Sequence, residues 1–190
     1  MTQPALLLVD DDRLILDSMG SWLREQGFAV DTVNSVAEGA KAIAEHSERV
    51  ETANKWAALT ETNAARTQAM ILSGEPLVQE TMRTAIAATS TRIGEIQKDL
   101  EARALNPSDR DQMKAIATAR QSMLDARAQA QKIRSDGSAD DAATFVRGPY
   151  AAAVDRYLGE LRKFVDLQEA NLRATQEVTA AARMTTVKIS

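Results

Sequence analysis

Several residue types are absent from this sequence or scarce in it. Among 190 residues there is no cysteine and a single histidine, His46. The lack of cysteine excludes disulfides, zinc ribbons and thiol nucleophiles, and a lone histidine excludes a multi-histidine metal site. Aromatic residues make up only 4%, and there are 8 glycines and 4 prolines. With so few turn-forming and β-favouring residues, a β-sandwich or barrel is excluded and long helices are favoured.

The charge distribution excludes further classes of protein. The net charge is −4, but residues 1–45 contain three basic and eight acidic residues, whereas residues 46–190 contain 20 and 19. No basic patch indicates nucleic-acid binding. No apolar run approaches the roughly 18 residues that a membrane span needs, and the N-terminus lacks the pattern of a secretory signal. We therefore expect a soluble chain with an acidic first quarter.

The N-terminal quarter alternates between strand-like and helix-like patterns. Residues 5–9 and 28–33 are short apolar runs, which are typical of buried strands in a parallel sheet. Between them apolar residues recur at helical spacing up to Gly27, and another helical pattern follows the second run. The sequence thus predicts a short β-α-β-α appendage over residues 1–45.

The remaining residues predict long helices joined by short connections. Pro76 marks the start of a second long helix after one that runs from Val36 to about Leu72. Ser108 with Asp111 resembles a capping box for the third, which we expect to bury Leu124 together with other apolar residues. Ser138 with Asp141 starts the next helix, which Gly148-Pro149 should interrupt early. We predict a mainly α fold in which residues 46–190 form an antiparallel up-down four-helix bundle.

The first segment resembles the beginning of a response-regulator receiver domain, through residues 7–12 and 27–30. That resemblance implies that Asp10 and Asp11 would bind Mg²⁺ if the segment were functional, since a hard cation prefers clustered carboxylates. The third strand with its phosphoacceptor aspartate does not follow. Residues 1–45 are therefore interpreted as an incomplete receiver-like segment and as a candidate fusion to the remaining residues. A two-component phospho-receiver with a helical output is the alternative function.

Residues from about 46 to 186 resemble the periplasmic four-helix-bundle ligand-binding domain of methyl-accepting chemotaxis receptors, nearest to those for malate and citrate. The resemblance rests on residues 62–66, 100–103, 106–110, 116–120, 127–128, 137–142 and 149–150. It implies a sensor domain of a membrane-embedded receptor, a homodimer, and a small carboxylate ligand of the malate, citrate and succinate class. Because the chain lacks cysteine, paired histidines and a phosphate-binding loop, we expect no enzymatic activity, and we expect no cofactor and no nucleic-acid partner. The membrane spans and signalling domain of an intact receptor are missing, so we expect an isolated sensor module.

Three arginines, Arg66, Arg120 and Arg127, lie on apolar helix faces with few acids nearby. Half-buried arginines need anions, and guanidinium groups bind carboxylates through paired hydrogen bonds. The resemblance also implies Arg66 and Arg120 as ligand contacts. Alternatively, the three side chains only extend along the core to reach water.

Four polar residues complete the predicted binding site. Tyr157 lies next to the inward Leu158 and can offer a hydroxyl to a carboxylate or an α-hydroxyl. Thr89 and Ser90 can do the same from the second long helix. Asn63 lies on the same face as Arg66, although an asparagine in a helical seam can instead set register or dimer pairing. A purely structural helical dimer therefore stays open as a third reading.

Overall fold

The computed structural model describes residues 5–10, 12–33, 36–103 and 105–187. The chain is mainly helical, which confirms the predicted class. Its elements are β1 (Ala5–Val9), α1 (Arg13–Glu25), β2 (Ala29–Val33), α2 (Val36–Leu72), α3 (Pro76–Ala102), α4 (Pro107–Ser135), α5 (Ala139–Phe145), a π-helical segment (Val146–Tyr150) and α6 (Ala151–Val187).

The chain divides into two compact units. Unit 1 comprises Met1–Glu51 and Asp166–Ser190, and unit 2 comprises Thr52–Val165. Residues 46–51 and 166–190, which the sequence pattern assigns to the sensor domain, thus lie in unit 1. None of the helices in the described part of the chain is both long and apolar enough to span a membrane.

Unit 1 contains the two strands, which pair in parallel with Ala5 opposite Ala29 and Val9 opposite Val33. The helix between them, α1, begins after Asp12, whose side chain accepts a hydrogen bond from the backbone N–H of Leu14 at 2.8 Å. This cap satisfies a backbone donor that the first turn of a helix leaves free.

The same unit contains a close helix contact at Gly39 of α2. A Cβ atom added to Gly39 would lie 3.0 Å from Cγ2 of Thr179 in α6. Real Cβ atoms are rarely so close to a neighbouring side chain. The glycine therefore lets these two helices approach each other within unit 1.

Unit 2 buries an apolar core between its helices. Trp56, Ile116 and Phe164 have no exposed surface. Predicted core residues of α3 and α4 are also buried, namely Ile86, Ile93, Leu100 and Met113. Leu124 was predicted to face inward, but 36% of it is exposed. That prediction is wrong because the adjacent Met123 takes the position against the core.

The ends of the unit 2 helices follow the sequence signals with one exception. Pro76 occupies the first turn of α3, and the side chain of Ser138 accepts from the N–H of Asp141, as predicted. The capping box of α4, however, consists of Asn106 and Asp109 and not of Ser108 and Asp111. Pro107 explains the difference, because a proline at the first helical position places the cap one residue before it.

The predicted interruption at Gly148-Pro149 is a π-helical segment, Val146–Tyr150. Proline lacks the N–H that an α-helical hydrogen bond requires, so the α-helical ladder cannot continue through Pro149. Single π-turns occur often at functional sites. Here the segment ends in Tyr150, whose side chain is completely buried.

Candidate ligand-binding cavity

A partly open cavity lies among the helices of unit 2. The centres of water molecules have about 40 Å³ available in it, and about 460 Å³ lies between its walls when the space open to solvent is included. The former figure, which is the one to compare with cavity volumes in other proteins, leaves room for a few water molecules, since each water needs about 10–15 Å³ of it. The walls are formed by Thr60, Asn63, Ala64, Thr67, Ser90, Ile93, Arg120, Met123, Leu124, Arg127, Tyr150, Val154 and Tyr157. Five helical segments therefore converge on this cavity.

Two arginines that are two turns apart on α4 give the cavity a positive wall. Arg120 and Arg127 are seven residues apart, which places them on one face of the helix. Both are half-buried. Arg120 donates a hydrogen bond to Oε1 of Gln97, and its other donors have no acceptor among the described residues. Arg127 makes no side-chain hydrogen bond or ion pair within the same ranges.

No acid balances these two charges. The lining residues include no aspartate or glutamate. The ion pairs found between described residues of unit 2 are at helix surfaces, such as Arg83 with Glu80 and Lys114 with Asp111. A half-buried guanidinium without a counter-ion raises the local potential and favours an anion. The cavity thus offers two unpaired cations to a ligand.

Unit 2 also leaves three buried polar atoms without a hydrogen-bond partner among the described residues, namely Thr60 Oγ1, Asn63 Oδ1 and Tyr150 OH. All three belong to residues that line the cavity. Thr60 is 3% exposed and Tyr150 is 0% exposed. Because an unsatisfied buried polar atom costs about 1–3 kcal/mol, native proteins keep few of them. These atoms need a further hydrogen-bond partner, which bound water or a ligand in the cavity would supply.

The two tyrosines of the cavity differ in how their hydroxyls are held. Tyr157 OH accepts from Nε1 of Trp56 at 3.0 Å. Tyr150 OH is near Thr67 without reaching hydrogen-bond geometry. Burial raises the pKa of both phenols. The nearby Thr67 hydroxyl and, less, Arg127 only partly oppose the rise at Tyr150, as do Thr60, Trp56 and, least, Arg120 at Tyr157. Both hydroxyls therefore stay protonated at neutral pH and can donate.

Asn63 connects α2 to α3 at the cavity wall. Its Nδ2 donates to Ser90 Oγ at 3.0 Å and to the carbonyl oxygen of Ile86 at 3.5 Å. The backbone carbonyl of Asn63 accepts from Thr67 Oγ1 at 2.8 Å. These bonds fix the Asn63 side chain in one orientation.

Five of the seven predicted ligand contacts line this one cavity, namely Asn63, Ser90, Arg120, Arg127 and Tyr157. The other two, Arg66 and Thr89, do not line it. Arg66 Nη1 donates to Thr89 Oγ1 at 2.7 Å, and Thr89 in turn donates to the carbonyl of Ala85. The structure therefore separates Arg66 from the other two arginines and gives it a neutral partner on α3.

Asp10 and Asp11, the Mg²⁺ ligands that the resemblance to a receiver domain implies, belong to the sequence range of unit 1. Oδ1 of Asp10 accepts from the backbone N–H of Asp12 at 2.8 Å, and Asp11 lies outside the described residues. Within the described ranges, no group of three or more histidine, aspartate or glutamate side chains is arranged to hold a metal ion.

Sequence reasoning missed three residues of the cavity, Thr60, Thr67 and Tyr150. Helical spacing contained the signal for each of them. Thr60 and Thr67 are three residues before and four residues after Asn63, and Tyr150 is seven residues before Tyr157. The two threonines were missed because their small side chains are common on apolar helix faces. Tyr150 was missed because it follows Gly148-Pro149, which the sequence pattern marks only as an interruption of the helix.

No protein-family model matches the chain, and a search of curated proteins found no match either.

Proposed function

We propose that unit 2 is the ligand-binding part of a chemoreceptor-type sensor and that its cavity binds a small di- or tricarboxylate. The observation behind this proposal is the pair of half-buried arginines, Arg120 and Arg127, that line a cavity without an acid. Guanidinium groups bind carboxylates with paired, charge-assisted hydrogen bonds. A ligand with two or three carboxylates would neutralise both of them.

The polar atoms opposite the arginines support a ligand of this kind. The hydroxyls of Thr60 and Tyr150 are buried and unpartnered within the described residues, and each can donate to a carboxylate oxygen. The apolar part of the wall, which includes Ile93 and Val154, would contact the carbon chain. Few charged groups in an otherwise apolar pocket are typical of sites that orient a small molecule.

We further propose that the long helices of unit 2 form an antiparallel up-down four-helix bundle. Contacts between α2 and α3 support this, because Asn63 bonds to Ser90 and Arg66 bonds to Thr89. The connection between α2 and α3 is only residues 73–75, and such short connections are typical of antiparallel neighbours. Gln112 of α4 likewise donates to Glu160 of α6 at 2.8 Å.

A ligand in this cavity would act by joining helices. Its carboxylates would contact α4 through Arg120 and Arg127, while its other atoms would contact α2 and the π-helical segment. Binding shifts a conformational or monomer–dimer equilibrium only by the difference in affinity for the two states. In a chemotaxis receptor of the periplasmic type, as a homodimer, such a shift would be the signal.

Isothermal titration calorimetry with malate, citrate and succinate tests this function. We expect saturable binding of at least one of them, weakened by added salt because the contacts are ionic. Succinamide has the shape of succinate without its charges and serves as the control ligand. Binding of none of the three acids by a folded protein, or equal binding of succinamide, would contradict the proposal.

A further inference from the structure

The amide of Asn63 is oriented by its neighbours. The carbonyl oxygen of Ile86 can only accept a hydrogen bond, so the contact at 3.5 Å favours the amide nitrogen over the amide oxygen in the facing position. The same nitrogen donates to Ser90 Oγ at 3.0 Å. Both amide hydrogens are thereby assigned to α3, and the oxygen Oδ1 is left as the free end of the side chain.

This free oxygen is buried and has no donor among the described residues. Its residue, Asn63, lines the cavity, and neither Arg120 nor Arg127 donates to the oxygen. An amide oxygen can only accept, so a ligand carboxylate cannot satisfy it and would be repelled at short range. The atom therefore requires a ligand group with a hydrogen to donate.

We propose that the ligand bears a hydroxyl group besides its carboxylates and that Asn63 Oδ1 accepts the hydrogen bond from it. This inference rests on the proposed carboxylate function. A hydroxyl fits better than an ammonium group, because the described lining residues include two cations and no acid. An ammonium would be repelled by Arg120 and Arg127 and would find no counter-ion. The site is thus selective for hydroxycarboxylates.

Ligand pairs that differ in one hydroxyl test the proposal on the unmodified chain. L-malate is succinate with one hydroxyl, and citrate is tricarballylate with one hydroxyl. Leaving a buried acceptor unsatisfied costs enough to weaken binding about tenfold or more. We expect the hydroxylated member of the pair that binds to have the lower Kd by at least about tenfold, and L-aspartate to bind no better than succinate.

A variant of Asn63 identifies the atom that is responsible. Asn63→Leu keeps the approximate shape but removes the acceptor, so the ratio of affinities within each pair should fall to about one. Gln131→Leu, which removes an exposed amide from α4, is the control and should keep the wild-type ratio.

The outcomes separate the two proposals. If no carboxylate binds, the proposed function fails. If succinate and malate bind equally well to the unmodified chain, or if folded Asn63→Leu keeps the preference for the hydroxylated ligand, the carboxylate function stands and the hydroxyl proposal is overturned.

Discussion

Two regions of unit 2 differ in whether their buried polar groups have hydrogen-bond partners. In the connection before α4, Asn106 Oδ1 accepts from the N–H of Asp109 at 2.8 Å, and Asp109 Oδ2 accepts from the N–H of Asn106 at 3.3 Å. Asp109 is completely buried and yet bonded. At the cavity, Thr60 and Tyr150 are as deeply buried, but their hydroxyls have no partner among the described residues.

Under the proposed function, the difference separates polar groups with a structural role from polar groups that a ligand would complete. The connection supplies each of these two donors with an acceptor within three residues. The cavity combines the cations of α4 with unpaired hydroxyls of α2 and the π-helical segment. Within the described part of unit 2, buried side-chain polar atoms without a hydrogen-bond partner occur only at this cavity. Each of the following substitutions probes one side of that contrast.

The largest effect is expected at the cavity from Arg120→Ala. Removing one partner of a desolvated charge pair costs about 2–5 kcal/mol, so malate affinity should fall at least about thirtyfold. Thermal stability without ligand should fall only modestly, because the variant loses the hydrogen bond from Arg120 to Gln97 but breaks no ion pair between described residues. Arg110→Ala, on the exposed side of the same helix, is the matched control for calorimetry and thermal unfolding. Equal losses of affinity in both variants would show that the cavity is not involved.

Effects of intermediate size on the free energy of unfolding are expected from replacing the two tyrosines by phenylalanine. Tyr157→Phe leaves the buried Nε1 of Trp56 without its acceptor, so the free energy of unfolding should fall by about 1–3 kcal/mol. Tyr150→Phe removes a hydroxyl that has no partner in hydrogen-bond geometry, so stability should stay the same or rise. Urea unfolding of both variants measures the difference. A loss at Tyr150 as large as at Tyr157 would contradict the assignment of Tyr150 to the ligand.

The smallest effect is expected at the connection before α4. Asn106→Ala removes one of the two hydrogen bonds of the capping box, the one that Asn106 Oδ1 accepts, and should lower the free energy of unfolding by about 1 kcal/mol. Ser108→Ala, at an exposed position already within α4, should change it by less than about 0.5 kcal/mol. Both variants should bind malate as the unmodified chain does. Reversed stabilities in urea would favour the cap that the sequence pattern first suggested.

The sequence predicted helices better than it predicted contacts. The bounds of α2 and the starts of α3 and α5 follow from Pro76, Ser138 and an uninterrupted helical pattern, because such signals act locally. The cap of α4 was misplaced because two overlapping pairs, Asn106–Asp109 and Ser108–Asp111, have the same spacing. Pro107 decides between them, because a proline at the first helical position places the cap at the residue before it.

The site was partly predictable for a similar reason. Helical spacing brings Arg120 and Arg127 to one face, and the structure places both at the cavity. Spacing within one helix does not tell which residue of a neighbouring helix lies opposite. Arg66 therefore turned out to bond to Thr89, which no pattern within α2 could indicate. The π-helical segment at Pro149 likewise concealed the role of Tyr150 as a wall of the cavity.

The most direct test of the central claim is calorimetric titration of L-malate into the unmodified chain and into the double variant Arg120→Ala/Arg127→Ala. The account predicts saturable binding by the unmodified chain and no measurable binding by a double variant that remains folded. Undiminished binding by the double variant, or no binding by the folded unmodified chain to malate, citrate or succinate, would contradict it.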